Sequence, residues 1–321
     1  MKLKRKNLIR GNTILGFLFL VFLAGASAAP AAVFFSEPMD SDPGWTTEGD
    51  WAFGVPQGLG GEHGYPDPSS GYTGTNVYGY NLTGDYSTNL AGVYLTSTAI
   101  DCSFYTNVTL SFQRWLGIES PIYDHAVIQG SSNGTDWIDI WMNSERLDGG
   151  VWTNVTYDIS AVADGQPAVY IRFGLSTTDT DWQFCGWNID DIQLSGGETD
   201  EDSDGMPDWW EMQYYGGVTN ANPTATASNG VNTVQDCYIA GLDPTNPQSA
   251  FLISDLSPLT SESILEWTGV SGRVYTIYWA SNLLNGFQPL ESNIAWTAVP
   301  YTDTNHPAEG QGFYKIDVEL E

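Results

Sequence analysis

Positive charge is scarce in this chain: ten Lys and Arg stand against 39 Asp and Glu, and five of the ten (Lys2, Lys4, Arg5, Lys6, Arg10) fall in the first ten residues. Beyond them the balance is 5 − 39, or −34. A field of that sign repels phosphate backbones and anionic lipid, so nucleic acid and membrane surfaces are poor partners and cations good ones. Histidine is scarcer still: His63, His125 and His306 stand far apart, and no His-Glu-x-x-His helix exists, which excludes a zinc protease of that type. No Gly-x-Ser-x-Gly elbow is present. Paired carboxylates are always available among 39 acids and so carry no information about glycoside hydrolysis. No catalytic constellation is recognisable, and the chain reads as a non-enzyme. Three cysteines allow at most one internal disulfide. Cys102 follows a strand-like run and Cys185 precedes a late strand, where sandwich edges can meet, so these two are expected to pair, which for so long a loop would stabilise by ~4 kcal/mol. Cys237, beside Tyr238 and Ile239 in a helical pattern, is expected to be buried and free.

Long apolar runs are also missing. The run from Ile14 to Leu23 follows the basic residues and precedes Ala26-Ser27-Ala28. A basic head, a short apolar segment and small residues make a secretory signal peptide, residues 1–28, with cleavage expected after Ala28. The run falls short of the ~20 apolar residues a spanning helix needs, and no second one follows. The mature protein is expected to be soluble, secreted or held at a cell surface, without membrane insertion.

Aromatic residues are plentiful, with 13 Trp, 17 Tyr and 13 Phe, too many for a disordered acidic tail. From Phe34 to Leu194 short β-rich runs such as Val108–Phe112, Trp137–Trp141 and Val169–Phe173 alternate with Gly, Asn and Asp clusters. Period-two alternation with turns at that spacing predicts an antiparallel sandwich. The stretch from Gly196 to Ser249 is rich in Gly, Asp, Asn and Thr and broken by Pro207, Pro223, Pro244 and Pro247. It reads as a linker held by something other than a core, with short helices at Asp208–Tyr215 and around Val234–Ala240. From Phe251 onward β-patterning returns in Ile264–Trp267, Val274–Trp279 and Phe313–Val318.

The segment Asp200-Glu-Asp-Ser-Asp-Gly-Met-Pro-Asp-Trp-Trp-Glu211 carries an acid or its turn glycine at each defining position of a twelve-residue calcium loop. Asp200, Asp202 and Asp204 hold positions one, three and five, Gly205 the turn, Met206 offers its carbonyl at seven, Asp208 stands at nine and Glu211 is the bidentate twelfth. Alternate residues of a tightly turning loop converge on one point, and five carboxylates crowded there repel one another without a dication. An all-protein cage with a bidentate glutamate suits Ca2+ better than magnesium. The ion is expected to shorten and stiffen the linker. This loop resembles the thrombospondin type 3 and dockerin-like repeats of secreted bacterial proteins, which come in pairs followed by Gly-x-Asp-Pro-Thr, here Gly241-Leu-Asp243-Pro-Thr245. The second loop of the pair, 225–236, has alanine at its first two ligand positions, so a second ion is not expected there.

The larger β region resembles the jelly rolls of MAM domains and of immune inhibitor A-type secreted proteases. The residues that carry the likeness include Phe35-Ser-Glu37, Gly44-Trp45, Leu110-Ser-Phe112, Ser131-x-x-Gly134-x-x-Trp137 and Gly186-Trp187-Asn-Ile-Asp190-Asp191-Ile192. The resemblance implies a structural cation shared by Glu37 and Asp190 or Asp191. Residues 250–321 resemble the small fibronectin-type modules that follow calcium repeats. The fold class is therefore all-β: a jelly-roll β-sandwich over 33–196, a calcium-binding linker with short helices over 198–249, and a small C-terminal β-sandwich.

The function these readings imply is that of a secreted, calcium-binding, non-catalytic binding or surface-interaction protein whose ligand is an extracellular polysaccharide or a cell-surface protein; the rival reading is a secreted hydrolase of unrecognised type acting on polysaccharide. Among the aromatic residues of 54–86, Tyr65, Tyr72, Tyr78, Tyr80 and Tyr86 are expected to clamp a long connection onto the sandwich more than to meet ligand. Trp115, Trp137 and Trp187 are expected in the core.

Overall fold

In the longest strand, Tyr105–Ile118, apolar residues alternate with polar ones, so that Val108, Leu110, Phe112, Leu116 and Ile118 are all buried while Ser111, Gln113 and Trp115 are not. The computed structural model to which this strand belongs describes residues 31–258, 263–306 and 312–321, so the expected signal peptide lies outside the described residues. The described residues up to Thr199 form one unit and Asp200–Glu321 a second.

The first unit holds β1 (Ala32–Glu37), β2 (Thr46–Thr47), β3 (Trp51–Gly54), β4 (Val77–Tyr80), β5 (Val93–Thr96), β6 (Tyr105–Ile118), β7 (His125–Ser131), β8 (Ile138–Met142), β9 (Leu147–Asp148), β10 (Thr153–Asp158), α1 (Ser160–Ala163), β11 (Tyr170–Thr177) and β12 (Gly186–Glu198). One antiparallel sheet runs β10-β6-β12-β4-β3, with β1 on β12 and β9 on β6; the other runs β2-β5-β11-β7-β8. Their inner faces enclose Trp187, Phe112, Phe173, Tyr78, Tyr80 and Tyr86, each burial worth roughly 1.5–3 kcal/mol or more. Trp187 satisfies its indole N–H on Gly174 O at 3.0 Å. The expected jelly-roll sandwich is this unit.

Near the middle of β12 the register shifts between Asp190 and Gln193, and Asp191 takes φ +49°. This bulge lets Ile189 and Ile192 both face the core although they are three residues apart. It also turns Asp190 and Asp191 together toward the 70–76 loop.

In the second unit α2 (Asp208–Tyr215) and α3 (Val234–Ala240) occupy the predicted positions. Asp208 and Glu211 place negative charge in the first turn of α2, where the helix dipole favours it, and Gly216 ends the helix at φ +71°. A capping box joins Thr233 and Asp236 at the start of α3, and Gly241 closes it. Met206, Trp210, Ala221, Ala227, Val234, Cys237 and Tyr238 form a small apolar cluster of their own. The expectation of a linker without a core is thus corrected: the aromatic residues of α2 fold back on α3, with Trp210 and Tyr238 rings 5.6 Å apart.

The strands β13 (Ile253–Pro258), β14 (Ser263–Trp267), β15 (Arg273–Ala280), β16 (Gln288–Ala295), β17 (Tyr301–Asp303) and β18 (Phe313–Leu320) make two three-stranded sheets around Leu265, Trp267, Tyr275, Ile277 and Ile316. Arg273 ties this β module to α3 by donating to the carbonyls of Ile239 and Tyr238, each at 2.9 Å.

Candidate functional site

Alternation in β6 that sends Phe112 and Leu116 inward sends Gln113 and Trp115 out, onto the outer face of the sheet that contains β6 and β12. Residues opposite one another on neighbouring strands share that face. Gln113 pairs with Asn154 on one side and Asp190 on the other, and Trp115 pairs with Asn188. Trp152, just before β10, meets Trp115 edge to face at 5.9 Å. The Tyr72 ring stands against Trp152 at 6.4 Å. Three aromatic rings therefore line a row beside Gln113 and Asn154.

A long connection from β3 to β4 crosses the same face and is fastened there by polar contacts. Trp115 Nε1 donates to Pro66 O at 3.1 Å, and Asn188 Nδ2 to Asp67 Oδ1 at 2.7 Å. The backbone N–H groups of Tyr72 and Thr73 donate to Asp190 Oδ2 at 2.7 and 3.1 Å. Gly150 lets the Tyr65 ring lie against the turn after β9, since a Cβ there would stand 2.6 Å from that ring. The connection is clamped, as expected, but Tyr65 and Tyr72 remain 58% and 54% exposed, whereas Tyr78, Tyr80 and Tyr86 are core. Of the three tryptophans assigned to the core only Trp187 is there; Trp115 lies half-exposed on this face, and Trp137 covers Arg172 on the other sheet, with the guanidinium 4.1 Å from its ring. Alternation set the correct element but could not say which face was inside.

Under this surface Asp67 is 3% exposed and its Oδ2 has no hydrogen-bond partner. Burial pushes its carboxyl up to about 7, with Asp85 adding to the rise and the Asn188 amide opposing it. Burial and then the neighbouring Asp191 push Asp190 up to about 6, against the N–H groups of Thr73, Asp191 and Tyr72. Glu37 stands opposite Ile192 across β1 and β12 and accepts from Met39 N at 3.3 Å. Among the described residues no group of three metal-ligating side chains includes Glu37, Asp190 or Asp191. Asp190 and Asp191 are brought together by the bulge and by Thr73, whose hydroxyl donates to Asp191 Oδ1 at 2.7 Å.

At the start of the second unit one carboxylate oxygen each from Asp200, Asp202 and Asp204 lies within 4.8 Å of the other two. The loop turns at Ser203 and Gly205, with φ +58° and +89°. Asp200 accepts from Asp204 N at 3.2 Å and Gly205 N at 3.0 Å, and Asp204 Oδ1 from Met206 N at 2.9 Å. Asp208 Oδ1 accepts from Glu201 N at 2.8 Å, and Glu211 Oε1 from Ala221 N at 2.9 Å. Asp204 Oδ2 and Glu211 Oε2 are buried without partners. Burial and then neighbouring acids raise both carboxyls above their ordinary range. The Met206 side chain is buried in the small cluster between α2 and α3.

The expected Cys102–Cys185 disulfide is not formed, and all three cysteines are free and buried. Cys102 accepts from Tyr105 N at the start of β6, while Cys185 Sγ packs on Gly117 at its far end. Twelve strand residues separate those ends by about 40 Å, against a Cα separation below about 7 Å that a disulfide demands.

No family model and no curated protein matches the sequence. Among solved structures the chain is similar to the K1 cleaved adhesin domain of Lys-gingipain from Porphyromonas gingivalis W83, at 16% identity and TM-score 0.34, over 51% of this chain and 98% of that one. A CBM35 from Paenibacillus barcinonensis gives 20% identity and TM-score 0.31 over 50% and 97%. The N-terminal CBM22 tandem of Xyn10C from the same organism gives 12% and 0.33 over 93% and 99%.

Proposed function

We propose that this is a secreted, calcium-binding, non-catalytic protein that binds polysaccharide on the outer face of its seven-stranded sheet. The observation that carries the reading is the row of Tyr72, Trp152 and Trp115 rings beside the side chains of Gln113 and Asn154. Sugar rings present C–H faces that stack on aromatic surfaces and hydroxyls that exchange hydrogen bonds with amides, and a sheet face with both can take a chain of them. A glycan array followed by calorimetry tests it. Trp115→Ala and Trp152→Ala should each weaken binding at least tenfold, about 1.4 kcal/mol, while Trp137→Ala on the other sheet leaves it unchanged. Binding that ignores both substitutions, or release of cleaved product, overturns the reading.

Calcium would be held by Asp200, Asp202, Asp204, Asp208, Glu211 and the carbonyl of Met206. The partnerless buried oxygens of Asp204 and Glu211 support this, because a dication supplies the counter-charge they lack. The ion would bind the acidic loop to the first turn of α2. Export rests on the basic, apolar and small-residue order of residues 1–28.

A further inference from the structure

Three acids that the calcium loop does not use meet at one end of the sandwich. Glu119 directly follows β6, Asp124 directly precedes β7, and Asp179 follows β11 by two residues. One carboxylate oxygen from each lies within 4.8 Å of the other two. Their placement is built from several directions. Asn143 Nδ2 donates to the carbonyls of Glu119 and Asp124 at 3.2 and 3.1 Å, while its Oδ1 accepts from Ala126 N at 2.9 Å. Tyr86 donates its hydroxyl to Asp124 Oδ2, and Asp179 N donates to Asp124 Oδ1 at 2.8 Å. Asp181 N donates to Asp179 Oδ1 at 2.8 Å.

The second observation is Glu119 itself. It is only 8% exposed, yet its Oε2 is buried with no hydrogen-bond partner, on the side chain that belongs to the cluster. Two basic side chains near the cluster have partners outside it: His125 Nδ1 pairs with Thr177, and Arg146 pairs with Asp148 at 2.6 Å while lying over Phe184. The His63 ring stacks on Trp182 at 4.6 Å, and its buried Nδ1 has no hydrogen-bond partner. Among the described residues none of the three acids is in an ion pair. Three carboxylates gathered around a buried, unsatisfied oxygen need a counter-charge, and an all-oxygen donor set is the ligand chemistry of a hard dication.

We propose that Glu119, Asp124 and Asp179 bind a calcium ion at this end of the sandwich, separate from the 200–211 loop. The ion joins the β6–β7 turn to the segment after β11. That segment carries Trp182, 41% exposed and stacked on His63, so the cation also holds the Trp182 and His63 pair in place.

The test counts calcium in the full chain by equilibrium dialysis, in a background with Asp204→Asn and Glu211→Gln so that the 200–211 loop is silent. Adding Glu119→Gln, which keeps shape and removes charge, should lower the number of bound calcium ions by one. Adding Asp179→Asn instead, at a half-exposed position that folding tolerates, should weaken that ion at least tenfold and reduce terbium luminescence sensitised through Trp182. Near-ultraviolet dichroism verifies folding, and if Glu119→Gln fails that check Asp179→Asn alone decides. A calcium count unchanged by the substitutions overturns the site, whether the count in the background is zero or more.

Discussion

Replacing Asp67 by asparagine isolates one buried charge beneath the aromatic face. In the folded protein its carboxyl titrates at about 7, because burial disfavours the anion and Asp85 stands near. In the unfolded chain it titrates at about 3.9. Between those values the folded state keeps a proton that the unfolded state releases, so stability falls as pH rises from about 4 through 7 and is level above that. A difference of about 3 units at 1.36 kcal/mol each gives a cost of about 4 kcal/mol at pH 8. Asparagine keeps an oxygen for the Asn188 amide and carries no charge. Asp67→Asn should therefore match the parent near pH 4 and exceed it by about 4 kcal/mol at pH 8. Urea unfolding of the sandwich across that range, in excess calcium, measures the difference, in which the titrating groups that do not interact with Asp67 cancel. A difference independent of pH would show that Asp67 is ionised and satisfied in the folded protein, and the reasoning would fail.

Two more outcomes follow from the same structure. Burial pushes the thiols of Cys102 and Cys185 up to about 12 and that of Cys237 up to about 11, so none should react with an aromatic disulfide reagent at pH 8 until denaturant is added, when all three should react. Fewer than three on unfolding would reveal a disulfide. A chelator, or Glu211→Gln in calcium, should raise proteolysis within 200–249 and shift the fluorescence of Trp209 and Trp210, leaving the sandwich dichroism intact; equal resistance with and without calcium would refute a role for the ion in ordering α2.

Local order was legible wherever it rests on neighbours in the chain. The strands around Val108–Phe112 and Val169–Phe173, both helices of the second unit and the turn at Gly205 depend on alternation, caps and spacing that a linear sequence displays. Which side of a strand faces inward is another matter. Trp115 and Trp187 read alike in their strands, and only the packing of one sheet on the other put Trp187 in the core and Trp115 on the outer face. The bulge at Asp191 changed which side chains of β12 point outward, and no residue nearby announces it.

The acidic loop 200–211 was visible because all its side chains lie within twelve residues. Glu119, Asp124 and Asp179 were not, because the third comes to the first two only through the pairing of β11 with β7. The free cysteines have the same cause: chain order brings Cys102 and Cys185 to plausible strand ends, but β6 holds them at its opposite ends. The sequence by itself determined the charge, the β periodicity and the acidic loop 200–211, since each is a property of composition or short spacing. Tertiary structure alone decided the aromatic face, the buried Asp67 and the distant acid cluster, because each depends on residues far apart in the chain meeting across paired strands.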